Sequence, residues 1–509
     1  MNFQVKDHLS EQDINLGLKA VLKDGLTSQS MLTLTSGAFL VAFALELGAS
    51  NLIVGLLAAI PPLAQLLQIP AIAWVEKIRI RKLITVYFSA VSRIFLLPIA
   101  IIPFFWPDQT GLFLLIIGLT FHGLLSAPSA CAWNSWMRDL IPQDRLGVFF
   151  SKRISFAMAL GAFISLLAGF MIDFWNKNSP ESAIFGYSVL FALACAAGLL
   201  GIYFLYNTPE PRMEVAEHNL SLIQLLKQPF SDTNFKNLIV FLGTWNFAIN
   251  LAAPFFTVYM LQRLSLNMTY VVGLTVLSQI FNFVFLRIWG KISDRFSHKS
   301  VISVSGPLFI FCIFGWIFTT MPEKYILTTP LLILLHVFMG ISTAGVTLAA
   351  GNIGLKLAPK GQATAYLAAI SFINSLAAGF APIIGGLFVD YFAEHGLRLS
   401  IDWLSPSSVL SLHPMDIRHW DFFFLFAFLM GQYSLHRLAL VNEVGHVEEN
   451  IVIRELFTEV SRKMGNLSSV TGIRQLVEFP FGLLKYLIPV RYFSNRNNSN
   501  SPVAPNDET

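Results

Sequence analysis

Twelve runs of mostly apolar residues, each long enough to cross a bilayer as a helix, leave this chain few folds to choose from. They begin near residues 31, 51, 83, 111, 154, 183, 237, 268, 301, 326, 370 and 420. A spanning helix needs about 20 such residues. Within lipid, only helices and closed barrels satisfy their own backbone hydrogen bonds. Composition agrees: 55% of the 509 residues are hydrophobic and 13% charged, against about 25% charged in a soluble domain. The mean hydropathy is +0.63. The expected class is an all-α integral membrane protein with twelve transmembrane helices.

The net charge of +4 is too small to suggest nucleic-acid binding. Its placement is more informative. Lys77, Arg79, Arg81 and Lys82 follow run 2, Arg138, Arg145, Lys152 and Arg153 follow run 4, and Arg287, Lys291, Arg295 and Lys299 follow run 8. The loops after runs 6 and 10 add Arg212, Lys227, Lys236, Lys356 and Lys360. The opposite loops hold only Lys177, Arg263, Lys324, Arg398 and Arg418. Positive charge stays on the cytoplasmic side, so both termini are expected there. Compact loops and the lack of an evident processing signal point to a bacterial inner membrane.

The sequence repeats itself. Shifted by 218, WVEKIRIRK (74–82) falls on the GKISDRFSHK stretch (290–299), matching Glu76 to Asp294, Lys77 to Arg295 and Arg81 to Lys299. Val54-Gly55-Leu56 meets Val272-Gly273-Leu274 at the same offset. Further along, GFMIDF (169–174) and GLFVDY (386–391) align at Asp173 and Asp390. Two pseudo-symmetric six-helix bundles are therefore expected, over 30–206 and 236–440. A cytoplasmic linker joins them over 207–235. An amphipathic cytoplasmic segment occupies 1–29, with Ser10 and Asp13 as a capping box, and a cytoplasmic tail covers 441–509. Within that tail, 447–464 reads as a charged helix and 473–493 as an interfacial segment.

Gly290, Asp294, Arg295 and Lys299, in the spacing Gly-x-x-x-Asp-Arg-x-x-x-Lys, resemble the cytoplasmic loop signature of the major facilitator superfamily. The first-half copy is degenerate, with Ile72 in place of glycine and Glu76-Lys77 in place of Asp-Arg. The resemblance implies a secondary transporter of that fold, in which this charged loop latches the cytoplasmic side. Asp294 and Arg295 would then reach the start of span 5 near Lys152 and Arg153. Glu76, Lys77 and Arg81 would do the same near span 11. Simple membrane anchoring by positive charge is the plainer account of the same residues. Span 5 lacks the Gly-Pro signature of drug–proton antiporters, and APIIGG (381–386) echoes part of it in span 11 instead.

Binding sites in this fold are expected near the midplane between the halves, where a polar side chain is expensive and so a functional candidate. The candidates are Arg93, His122, Asn246, Asn250, Gln279, Asn282 and His336. Histidine titrates near 6.5 when unperturbed, so His122 and His336 could carry protons or simply bond within helix packing. Asn246 and Asn250 share one face of span 7, as cavity lining or as interhelical glue. Arg93 stays charged and wants an anion. No midplane acid is evident to serve it, Glu46 lying near the outer end of span 1, so an anionic substrate gains support.

The absence of HExxH, GxSxG, a phosphate-binding loop and paired acids argues against an enzyme, a metal site or a cofactor. Cys131, Cys195 and Cys312 lie in apolar runs and read as packing residues. The expected partners are a small-molecule substrate, the lipid bilayer and a coupling ion, proton or sodium, around a monomer. The alternative is a non-transporting sensor or scaffold on the same fold, motivated by the degenerate first-half motif and the long tail.

Overall fold

The computed structural model describes residues 5–213, 228–320, 323–359, 363–405 and 408–467. Among these residues, eleven helices are long and apolar enough to cross a membrane. A twelfth, Trp420–Ala439, completes the set.

Span 1 begins earlier than its sequence suggests. The capping box forms as expected, Asp13 N donating to Ser10 Oγ at 3.1 Å and Ser10 N to Asp13 Oδ2 at 3.2 Å. The helix it starts, Glu11–Thr35, does not lie apart from the bundle. It packs against spans 5 and 6 and buries Gly17, Val21, Asp24 and Gly25. The surface helix and the first span expected from the sequence are thus one element. A break at Ser36 and Gly37 follows, Gly37 taking φ +59°, a region open to glycine at little cost. Gly37–Glu46 completes the span.

Span 2 (Asn51–Ile78) is interrupted between Gln65 and Gln68, where Pro70 has no N–H to donate to the Leu66 carbonyl four residues earlier. Spans 3 to 6 are Arg81–Phe105, Gln109–Leu140, Gln143–Asn178 and Phe185–Tyr206. The second half repeats the plan. Spans 7 to 11 are Thr233–Arg263, Met268–Arg295, His298–Thr319, Thr328–Leu357 and Ala363–Tyr391. Packing repeats as well: spans 1 and 6 pair as 7 and 12 do, 3 and 4 as 9 and 10, and 2 and 4 as 8 and 10. The halves meet through spans 2 and 11 and through spans 5 and 8. Phe104, Phe113, Phe170, Phe311 and Leu429 face outward, where lipid would lie.

Two small sheets mark opposite ends. Val5–Lys6 pairs in parallel with Glu210–Pro211, tying the N-terminus to the linker. This end also carries the C-terminal helix Glu449–Leu467. An antiparallel hairpin, Gly396–Ser405 with Ser408–Arg418, lies between spans 11 and 12. Its signal is legible in the alternation of Leu397, Leu399, Ile401 and Trp403. Linker residues 214–227 and the expected interfacial segment at 473–493 lie outside the described residues.

Candidate transport site and gates

A cavity of about 690 Å³ lies between the halves, lined from spans 1, 5, 7, 8 and 10. Three of the predicted residues meet there: Gln279, Asn282 and His336. The broken turn of span 1 contributes Ser36 and Gly37, as irregular backbone at membrane depth does when it borders a cavity. Gln29, Thr33, Ser165, Thr257, Thr275, Ser278, Thr343 and Thr347 supply further amide and hydroxyl groups, and among the described residues the lining holds no carboxylate, lysine or arginine. His336 Nδ1 lies 2.8 Å from the Leu332 carbonyl. It must be the donor there, which leaves Nε2 as an acceptor in the neutral ring. The ring sits edge-on to Trp316.

The two asparagines of span 7 belong to neither cavity described here. Asn246 Nδ2 donates to Leu242 O at 2.9 Å and Asn250 Nδ2 to Asn246 O at 2.8 Å, so both bond along their own helix.

Arg93 and His122 are elsewhere too, in a separate pocket inside the first half. Arg93 has its acid after all. Asp24 of span 1, 3% exposed, places Oδ1 3.8 Å from Arg93 Nη2 and Oδ2 3.5 Å from Arg153 Nη2. Arg93 also donates to Ser28 Oγ at 2.9 Å and to the Gly198 carbonyl. The expectation that no acid serves Arg93 is corrected. Asp24 was hidden because it precedes the first apolar run and read as the polar face of a surface helix. Its spacing from Gly17, Val21, Gly25 and Ser28, one helical stripe, was the signal available. His122 Nδ1 donates to the Ser92 carbonyl at 2.9 Å and also lies 3.0 Å from Ser92 Oγ.

At the hairpin end, the residues that marked the repeat join the halves. Asp173, near the end of span 5, accepts from Met268 N at 2.8 Å and Thr269 N at 2.7 Å, at the start of span 8. Asp390, near the end of span 11, accepts from Asn51 N at 3.2 Å and Leu52 N at 2.9 Å, at the start of span 2. Each carboxylate satisfies two orphan amides and faces the positive end of a helix dipole. Glycine permits the approach: a Cβ on Gly55 would collide with the Pro382 carbonyl, and one on Gly386 with the Asn51 carbonyl.

At the end carrying Val5–Lys6 and the C-terminal helix, the motif residues take other partners. Asp294, Glu76 and Lys77 are exposed. Arg295 pairs with Glu455 and Lys291 with Glu459 at 3.0 Å, both on the C-terminal helix. Arg81 is fully buried inside the first half, paired with Asp139 and 3.6 Å from Glu210. Its backbone N also donates to Glu210. Burial pushes the Glu210 carboxyl up, while the Arg81 and Lys82 amides pull it back down. Lys299 repeats this in the second half. Its N donates to Glu443 Oε2 at 2.7 Å, and its Nζ donates to the Val441 carbonyl at 2.6 Å, just past span 12. Arg81 and Lys299 therefore brace their own bundles in this state, and Arg153 turns to Asp24. At Gly290 an added Cβ would meet only Leu348 Cδ1, at 3.8 Å.

Two six-helix bundles around a shared cavity are an architecture that membrane transporters use. The family model of the Major Facilitator Superfamily matches residues 25–382, and the chain belongs to that superfamily. A search of curated proteins returned no match. Among solved structures, a point mutant of the nucleoside transporter NupG superposes with TM-score 0.63 at 12% identity, covering 84% of this chain and 100% of that one. A bacterial homologue of the iron transporter ferroportin, inward-facing, gives 0.58 at 13%, over 88% and 100%. A bacterial homologue of the human lysosomal transporter Spinster, also inward-facing, gives 0.55 at 15%, over 88% and 97%. Identities this low speak for the fold alone.

Proposed function

We propose that this transporter carries a small neutral solute rich in hydrogen-bonding groups, by alternating access between its two halves. The observation that carries the reading is the central cavity, whose polar groups are amides, hydroxyls and one imidazole. Its volume of about 690 Å³ falls in the usual range for small-molecule sites. A carboxylate or phosphate would find no countercharge in this lining, and burying an unpaired ion costs several kcal/mol. Arg93 lies outside this cavity with Asp24 beside it, so it gives no support to an anionic solute there.

With the termini assigned to the cytoplasm by the lysine and arginine bias, the Asp173 and Asp390 contacts close the outer side. The state is then inward-facing. The outward-facing state breaks those contacts and lets Asp294 and Arg295 reach the start of span 5, with Glu76 and Lys77 acting toward span 11. We place the chain as a monomer in a bacterial inner membrane, driven by a proton or sodium gradient.

The test is uptake into proteoliposomes of nucleosides, sugars and polyols against carboxylates of similar size. Neutral solutes should accumulate, and Gln279→Ala and Asn282→Ala should each weaken binding about tenfold, the loss of a hydrogen bond worth ~1.4 kcal/mol. Preference for the carboxylates would sink the reading. Collapsing the proton or the sodium gradient separately assigns the coupling ion. The C-terminal helix docked on the charged loop favours a second reading, a sensor. Saturable binding without accumulation or counterflow would select it.

A further inference from the structure

The pocket inside the first half is not used by the transport reading. It measures about 260 Å³ and is lined from spans 1, 3, 4, 5 and 6. Its charges do not balance. Two guanidiniums, Arg93 and Arg153, share the single carboxylate of Asp24. An excess positive charge among largely buried groups is costly unless something answers it. Arg153 is further steadied over the Trp133 ring, 5.0 Å from its centroid, a contact that leaves its charge in place.

The walls are built to hold these groups. A Cβ on Gly25 would collide with Arg153 Nε, and one on Gly201 would lie 2.6 Å from Arg93 Nη1. Ser28, Ser89, Ser92, Ser126 and Ser129 add hydroxyls that already have partners. Thr85, 1% exposed, lines the pocket, and its Oγ1 is buried without a hydrogen-bond partner among the described residues. A buried hydroxyl normally finds a partner. The unpartnered hydroxyl and the pair of guanidiniums with one carboxylate between them line the same pocket. The pocket is smaller than the usual range of small-molecule sites, about 300–1,000 Å³, so a ligand there is small.

We propose that this pocket is a binding site for a small inorganic anion, held by Arg93 and Arg153 with a hydrogen bond from Thr85. Asp24 sets its affinity by competing for the same guanidiniums. The site is distinct from the central cavity and does not depend on which solute that cavity takes.

The experiment is thermal unfolding of the full chain in detergent, titrated with chloride, bromide, nitrate and inorganic phosphate. Ionic strength is held constant with gluconate. The parent should show a saturable rise in Tm with at least one of these anions, and their order identifies the preferred one. Arg153→Gln should raise the apparent dissociation constant at least tenfold, and Thr85→Val about threefold. Asp24→Asn should lower it tenfold or more, because the competing carboxylate is gone. A merely structural Asp24 would destabilise without tightening anion binding. Equilibrium dialysis of radioactive chloride and phosphate against the parent gives a readout that needs no variant to fold, with about one ion per chain expected. A rise that never saturates and is equal in all variants, or no bound ion in dialysis, overturns the proposal.

Discussion

Arg81 and Glu210 show how a single residue serves a bundle. Glu210 caps the start of span 3 and lies beside the side chain of the residue it caps, both fully buried. Breaking a buried pair by removing one partner costs about 3–5 kcal/mol, because the other charge is stranded. Arg81→Met should therefore lower the thermal stability of the detergent-solubilised protein sharply. Arg81→Met combined with Glu210→Gln and Asp139→Asn should recover much of the loss. A triple variant no better than the single would show that the pair's charge is not what matters there. Arg81 and its equivalent Lys299 were expected to act between the halves. Their position at the start of a helix, four residues after the second residue of the Glu-Lys or Asp-Arg pair, could not reveal that the chain returns past the last span of each half to meet them.

Elements carry the next set of contacts. Spans 5 and 11 each end in a carboxylate aimed at a helix start in the other half, an interaction of about 0.5–2 kcal/mol apiece. Asp173→Asn or Asp390→Asn should shift the population toward an outer-open state, and the double variant should shift it further. Spin labels at the ends of spans 2 and 11 nearest Asn51 and Asp390 would report this as a longer distance component in pulsed electron resonance. Unchanged distance distributions in the double variant would remove these residues from the gate. The C-terminal helix is held by Lys291 to Glu459 and Arg295 to Glu455. Reversing the signs on one side, Lys291→Glu with Arg295→Glu, should expose that helix to limited proteolysis. Adding Glu455→Lys and Glu459→Lys should protect it again. Equal cleavage rates in all three proteins would mean that apolar burial, such as that of Val452, holds the helix without help from charge.

At the scale of the whole molecule, each half closes its own packing through equivalent pairs of spans, and the halves touch along two seams. The proposed alternating access would use that division, one half rotating against the other while its core stays intact. The division also predicts that the halves assemble without a covalent link. Residues 1–213 and 228–509, expressed as separate chains, should co-purify and give the parent's solute-induced rise in Tm. Failure of both halves to co-purify, with each still inserting in the membrane, would mean that the linker is needed to align the seams. The two cavities divide the polar residues by the same logic. Gln279, Asn282 and His336 face the seam between halves, whereas Arg93 and His122 point into one half, although all five sit at similar depth in the sequence pattern.

Length and hydropathy of the apolar runs, the lysine and arginine bias and the internal repeat together determined the class, the span count and the two-fold plan. Those signals are local, or repeat at a fixed offset, and a bilayer makes them decisive because it admits so few backbones. The sequence also marked Asp173 and Asp390, as landmarks of the repeat, without revealing their role. Which way a polar side chain faces was decided only by the tertiary structure. In a helix buried all round, periodicity does not distinguish a seam from a core, so Asn246 and Asn250 resembled cavity residues while bonding along their own helix. Asp24 carried only the stripe it shares with Gly17, Val21, Gly25 and Ser28, which gained its meaning once span 1 was seen to begin at Glu11. Its partners, Arg93 and Arg153, lie 69 and 129 residues away. Proximity of that kind comes from how spans 1, 3 and 5 pack, and no window along the chain contains it.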